Sequence, residues 1–365
     1  SLLVCEGGRK AALMVKIMSE KSVYCTLFDK NYLDKGLVMM ESLVNADQNA
    51  FIYVLCMDDT VLDCLTKYND SHIHTISFSE FMDEELLKVK EERGNAEFCW
   101  TCTARLVRVV LEKFNEPICT YVDADLFFYS NPQVLVNEMK ENNCSVQVIP
   151  HQFPDTKEGR LQGKLYGLNC VQFNTFTNEQ NSLDLLKKWE DACITECSKE
   201  TVGDQMFTSD WGKYSFVNVS KHRGAGVAPW NVYRYKHVKG KKDYVYDRYD
   251  HKEYKLIFYH FAQIYYKDRE NVYIMPPKFH WSADSVLIKM LYLEYLKKAD
   301  NMKTIAEKLC GFSPLIIKDK SIDGDKKRKV TVPVSKWTLP LIWGGINHRL
   351  LAVIRKSVCN LNINE

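Results

Sequence analysis

Apolar runs and amphipathic stretches alternate along the first third of the chain. Residues 23–28 form an apolar run of strand length. The polar turn Asp29-Lys30-Asn31-Tyr32 follows, and then Leu37, Met40, Leu43 and Val44 recur at helical spacing. A second run covers 51–57, followed by Asp58-Asp59 and a helical pattern with Val61, Leu62 and Leu65; a short third run covers 73–76. Strand and helix in this alternation predict a mostly parallel sheet with helical crossovers, an α/β fold. Residues 80–93 and 97–114 read as helices, the second carrying Leu106, Val109, Val110 and Phe114. Two apolar runs then meet around Asp123 and Asp125, and 129–132 start another helix. Beyond them the pattern predicts a strand over 145–149, a long polar loop over 150–167, a strand over 168–174 and a helix over 179–197. A helix start is expected at 203–207, with Asp204 near its N-cap. Residues 233–255 suggest a hairpin, 256–261 a buried strand, and 282–298 and 301–310 two helices.

The 365 residues, 46% of them hydrophobic, suffice for a large core. We expect an N-terminal extension over 1–20, one catalytic-sized domain over 21–300, a helical and basic linker over 301–330, and an amphipathic C-terminal helix over 331–365. A net charge of +2 excludes the broad basic field that nucleic acid calls for. The 13 cysteines are scattered and odd in number, which suits reduced, mostly buried thiols and a cytoplasmic protein. Cys99 with Cys102 and Cys193 with Cys197 are spaced closely enough to draw a zinc site, but their apolar, helical surroundings favour plain thiols. Neither a secretory signal nor a membrane-spanning run is expected. The cluster Lys326-Lys327-Arg328-Lys329 precedes a stretch in which Trp337, Trp343 and aliphatic residues interleave with Arg349, Arg355 and Lys356. Such a stretch suits peripheral contact with a membrane through 326–358, or packing on the domain or on a second copy of the chain.

The chemistry is concentrated in Tyr121-Val122-Asp123-Ala124-Asp125. In extended chain, side chains alternate faces, so the two carboxylates point the same way. Side by side at a strand end they repel each other, and a divalent metal with oxygen ligands resolves the conflict. Two solvated Asp side chains in a turn are the plainer reading. Asp29 ends the first strand as Asp123 ends the central one, and ligands on parallel sheets sit at such carboxyl ends. Gly224-Ala225-Gly226-Val227-Ala228-Pro229-Trp230-Asn231 is a compact glycine-rich loop able to approach a ligand through its backbone. His260 closes the last buried strand and becomes interesting only if it meets the acidic pair.

Over residues 20–290 the order of elements resembles the GT-A-fold glycosyltransferases, in layout glycosyltransferase family eight, the glycogenin and lipopolysaccharide galactosyltransferase group. The resemblance rests on Thr26-Leu27-Phe28-Asp29-Lys30-Asn31-Tyr32, the Asp-Ala-Asp motif, Leu168-Asn169-Cys170-Val171, Asp204-Gln205 and His260-Phe261. The chain departs from that family in having Ala262 and Gln263 where a glycine is expected, and no Pro-Trp after Lys267. The resemblance implies a manganese or magnesium ion held by Asp123, Asp125 and His260. It implies a nucleotide-sugar donor, UDP-linked by default, whose base and ribose lie against Phe28, Asp29 and Tyr32, with Ala124 beside the diphosphate. Lys267 and Arg105 would add positive charge, Asn169 and Asp204 would hold sugar hydroxyls, and Gln205 would lie near the reacting carbon. The implied activity is hexosyl transfer, with retention, to a saccharide or lipid-linked acceptor at the inner face of the cell membrane, in surface polysaccharide or lipopolysaccharide synthesis.

Two other readings stay open. A sugar-nucleotide nucleotidyltransferase ordinarily needs a glycine-rich basic loop after the first strand, and Asp29-Lys30-Asn31-Tyr32 is not one. A non-catalytic carbohydrate-binding domain of the same fold has no need of an intact Asp123, Asp125 and His260 set.

Overall fold

The computed structural model describes residues 21–198, 202–268, 271–274, 283–316, 330–333 and 342–343. Its strands are β1 (Ser22–Phe28), β2 (Ala50–Cys56), β3 (Ile73–Ile76), β4 (Ile118–Val122), β5 (Leu126–Phe128), β6 (Val146–Pro150), β7 (Asn169–Thr177) and β8 (Val217–Val219). They continue with β9 (Tyr235–Val238), β10 (Lys241–Asp247), β11 (Lys252–Lys255), β12 (Phe258–His260), β13 (Tyr265–Tyr266), β14 (Asn271–Ile274), β15 (Val330–Pro333) and β16 (Ile342–Trp343). The helices are α1 (Leu33–Ala46), α2 (Asp59–Tyr68), α3 (Phe78–Phe81), α4 (Glu84–Glu92), α5 (Asn95–Glu112), α6 (Gln133–Glu141), α7 (Lys157–Tyr166), α8 (Gln180–Thr195) and α9 (Ser285–Cys310).

The expected α/β architecture is present. A seven-stranded sheet runs in the order β3-β2-β1-β4-β7-β6-β8. Its pairs are parallel except where β7 runs against β4 and β6. Alternation along the strands splits the core in two. Tyr24, Phe28, Ile52 and Val54 pack on one face of the sheet with α1, α2 and α9. Val23, Cys25, Leu27, Tyr53 and Leu55 pack on the other with α5 and α8. Local signals stop and start the helices: Asp58 accepts a hydrogen bond from the Val61 amide at the head of α2, and Ser77 and Glu80 form a capping box at α3.

Several expectations change. The helix over 80–93 is two helices, because Asp83 caps a new start at α4. The apolar run 118–128 is not one strand: β4 ends at Val122, Asp123 to Asp125 turn, and β5 leaves the main sheet to pair with β12. Residues 157–166, expected in a loop, form α7. The helix start at Asp204 is a 3-10 turn, Met206–Thr208, which no side chain caps. The two helices over 282–298 and 301–310 are one, α9, which continues past Asp300 with the help of a 3.0 Å Lys303–Asp300 ion pair. Position 300, expected as a domain edge, thus lies inside a helix. The hairpin over 233–255 is observed as the antiparallel sheet β11-β10-β9. Strands stand at Val330–Pro333 and Ile342–Trp343, so the amphipathic helix expected over 331–365 is not continuous. The rest of that tail, its basic cluster included, lies outside the described residues, as do residues 1–20. Eleven cysteines, Cys99, Cys102, Cys193 and Cys197 among them, are free and mostly buried. No helix among the described residues is long and apolar enough to cross a membrane.

Candidate metal and nucleotide-sugar site

A cleft of about 700 Å³ opens at the carboxyl ends of β1 and β4. The turn between β4 and β5 places both carboxylates at its floor. Two backbone bonds hold the turn: the Asp123 amide donates to the Gln172 carbonyl at 3.0 Å, and the Leu126 amide donates to the Asp123 carbonyl at 3.3 Å. β12 brings the histidine. Its register with β5 sets His260 opposite Leu126, and the Phe261 amide donates to the Asp125 carbonyl at 2.8 Å. His260 Nε2 then lies 3.0 Å from Asp125 Oδ1 and 3.9 Å from Asp123 Oδ2. One ligand atom from each of the three residues lies within 4.8 Å of the others, the one such convergence of His, Cys, Asp or Glu among the described residues.

These spacings fit a divalent ion. Neighbouring ligands about 2.1 Å from an octahedral centre stand about 3 Å apart. The donor set, two carboxylate oxygens and one imidazole nitrogen, suits a divalent ion. The histidine is also oriented correctly. Its Nδ1 lies 2.9 Å from Gln172 Oε1, so Nδ1–H donates there and the Nε2 lone pair faces the carboxylates. The glycine-rich loop backs this contact. The His260 amide donates to the Val227 carbonyl at 2.9 Å, and Gly226, at φ 73°, lies against Gln172 and Ile149. A Cβ at Gly226 would stand 2.7 Å from Gln172 Nε2 and 2.9 Å from Ile149 Cγ2. Gly226→Ala should therefore destabilise the fold by about 2 kcal/mol. It should also weaken manganese binding roughly tenfold by displacing Gln172. Urea unfolding and calorimetric titration of the ion test the two effects separately.

The electrostatics follow from burial. Asp123 is pushed up to about 7 by burial first; His260 opposes the rise and Asp125 adds to it. Burial works to raise Asp125 as well, but His260 and then Lys35 outweigh it, and the carboxyl titrates below its ordinary range. His260 is raised: burial lowers it, and the two aspartates prevail. A proton and a divalent ion thus compete for the same position. Above pH 7 Asp123 is ionised and ready to ligate; below it the ion must displace protons. Manganese affinity should fall about tenfold or more per pH unit below pH 7, measurable by titration at pH 6, 7 and 8.

Of the other expected site residues, Phe28, Asp29, Tyr32, Ala124, Asp204 and Gln205 line the cleft. Asp29 accepts from the Asn31 amide at 3.0 Å and from its Nδ2 at 2.7 Å, which shapes the turn. Asp204 is 4% exposed and its Oδ2 has no hydrogen-bond partner. Burial above all, then the charges of Cys197 and Asp123, hold its carboxyl well above the usual range, while a hydrogen bond with Thr103 opposes the rise. Gln205 donates to the Tyr166 carbonyl at 2.6 Å.

Three residues lie elsewhere. Arg105 does not line the cleft. Its guanidinium is held by Glu190 at 2.6 Å, by Glu85 at 2.8 Å and by Asp83. The buried Asn169 donates to the Thr208 carbonyl at 2.6 Å, and its neighbours Cys170 and Val171 reach the cleft instead. Lys267 is exposed outside the lining, whereas Ala262 and Gln263 belong to it.

The sequence reading missed Lys35, whose Nζ lies 3.8 Å from the centre of the Tyr32 ring. Burial depresses it, and Asp34, Asp125 and Asp29 counter that. It also missed Gln172 and Phe153; Phe153 stacks at 4.9 Å on His151, a residue of the expected polar loop over 150–167, and both line the cleft. Trp230, noted in the glycine-rich loop, packs edge-on against His260 at 5.1 Å. Proximity in sequence signals none of these.

No family model matches the chain. Among solved structures, mouse xyloside xylosyltransferase 1 superposes with a TM-score of 0.40 at 11% identity, over 66% of this chain and 97% of that one. The galactosyltransferase LgtC, in complex with donor and acceptor sugar analogs, gives 0.39 at 13% identity, over 66% and 87%. Both overlays are loose. In sequence, the chain is 28% identical to YfnD, an uncharacterized protein of Bacillus subtilis (strain 168), over 285 residues, 75% of this chain and 87% of that protein. It is 30% identical to YfnF, an uncharacterized protein of the same organism, over 253 residues, 66% of this chain and 81% of that protein. At that identity over four-fifths of the relative's length, the chain belongs to the family of YfnF.

Proposed function

We propose that this protein is a metal-dependent glycosyltransferase that moves a hexose from a nucleotide-diphosphate sugar, UDP-linked in our reading, to a saccharide or lipid-linked acceptor in surface polysaccharide synthesis. The observation that carries the proposal is the convergence of Asp123, Asp125 and His260 at the floor of the large cleft. These three residues would hold manganese or magnesium. When bound, such an ion would supply the positive charge that offsets a diphosphate leaving group.

The protein's own residues do the rest. The turn at Asp29 and Tyr32 takes the nucleoside, and Lys35 adds positive charge behind the acidic pair. Burial holds the Asp204 carboxyl well above its usual range, which weakens it as a nucleophile and suits it to hydrogen bonding with a sugar hydroxyl. That favours retention by front-face attack over a covalent adduct. The acceptor oxygen bonds to the anomeric carbon as the carbon–phosphate oxygen bond breaks, and the acceptor proton passes to the departing phosphate. Gln205 also lines the cleft, as do the stacked His151 and Phe153 rings, which we assign to the acceptor.

A melting screen tests the reading. Nucleoside diphosphates with manganese should raise the melting temperature by several degrees, UDP most, and neither component alone should match the pair. A shift with triphosphates alone would point to nucleotidyl transfer, and no shift with any nucleotide would overturn the assignment.

A further inference from the structure

The helix α7 is turned inside out. Its glycines, Gly159 and Gly163, are the residues it buries. A Cβ on Gly159 would stand 1.9 Å from the Pro154 carbonyl oxygen, so the helix backbone itself lies against the preceding loop. Its leucines face outward: Leu161 is 55% exposed and Leu165 52%, and Leu168, just past the helix, is 60% exposed. Positions 157, 161, 164 and 165 share one stripe of the helix. The stripe therefore interleaves these leucines with the exposed Lys157 and Lys164; the exposed Glu158 borders it on one side, and Arg160, paired with Asp155, on the other.

Ten large apolar side chains are exposed among the described residues, and five of them bear on this face: Leu161, Leu165, Tyr166 and Leu168 on or just past the helix, and Leu315, which shares the cleft lining with Tyr166. Tyr166 and Leu315 also line the cleft, so the apolar patch is continuous with its lip. Exposed leucines between cationic side chains match the interfacial layer of an anionic bilayer. The leucines enter the acyl boundary, and the ammonium groups stay at the phosphates. A water-facing helix with this pattern loses apolar burial that a lipid surface restores.

We propose that α7 and the adjoining lip of the cleft dock on an anionic lipid surface, with the cleft mouth facing the bilayer. α7 is a different segment of the sequence from the basic cluster at 326–329, and the proposal stands independently of the transferase reading, since docking needs no nucleotide.

The test is sedimentation of the full chain with phosphatidylcholine vesicles, with and without about 30% phosphatidylglycerol. The protein should pellet with the anionic vesicles and be released by salt. Leu161→Ser with Leu165→Ser, and separately Lys157→Glu with Lys164→Glu, should each cut the bound fraction about tenfold or more. Their melting temperatures should stay near that of the parent; the lysine pair, fully at the surface, keeps the test valid should the leucine pair misfold. Failure of the parent to bind anionic vesicles would overturn the proposal, as would variants that pellet like the parent. A parent dimer that the leucine changes dissociate, without vesicle binding, would assign the face to a second copy and overturn it too.

Discussion

Asp125→Asn should reduce kcat/KM for sugar transfer on the order of a thousandfold and abolish its response to manganese. The substitution keeps the shape of the side chain and removes the carboxylate that lies 3.0 Å from His260 Nε2. The main-chain contact that places β12, from the Phe261 amide to the Asp125 carbonyl, is untouched. Folding should therefore survive while the ion loses its best-placed anionic ligand. His260 would lose the partner that raises it and would titrate lower. Calorimetry should show manganese binding weakened in parallel with turnover. A variant that retains activity and manganese dependence would remove Asp125 from the site.

Arg105→Ala should act on stability and leave the donor KM unchanged. Glu190 is fully buried, and Arg105 and Arg108 both bond to its carboxylate. Removing Arg105 leaves a buried carboxylate with one guanidinium instead of two, and frees Asp83 at the cap of α4. Breaking a buried pair in this way costs about 3 kcal/mol or more, which for a domain of this size lowers Tm by roughly 5 °C or more. Arg105→Lys should recover part of the loss, because an ammonium keeps the charge without the planar fork that spans three carboxylates. A variant of normal stability with a raised donor KM would return Arg105 to the donor site.

The misreading of Arg105 has a simple origin. A cation on a helix near an acidic motif suggests a phosphate ligand, and Glu190, 85 residues away, is invisible to any local window. α7 was missed for a related reason. Periodicity is read on the assumption that apolar residues face the core, and here glycines do. The two-helix reading of 282–310 left a break at residues 299–300. α9 runs through it because Leu296, Ala299, Met302 and Ala306 keep one buried face. Asp204 looked like a cap, yet its unpartnered carboxyl oxygen lies buried at the cleft wall instead.

Local chemistry by itself determined the strands and their two faces, since alternation in β1 and β2 already assigns each side chain to a layer of the core. It also determined that Asp123 and Asp125 would stand together, because two residues cannot separate two carboxylates far. Only the tertiary structure decided what joins them. His260 is a ligand candidate because β12 pairs with β5 in one register, and a slip of one residue would turn its ring away. Gln172 orients that ring because β7 runs antiparallel beside β4, and Gly226 leaves the space for it. These are long-range pairings, set by the packing of whole elements, which is why the acidic pair could be read from local chemistry, His260 and the cleft residues only through the resemblance, and Gln172 not at all.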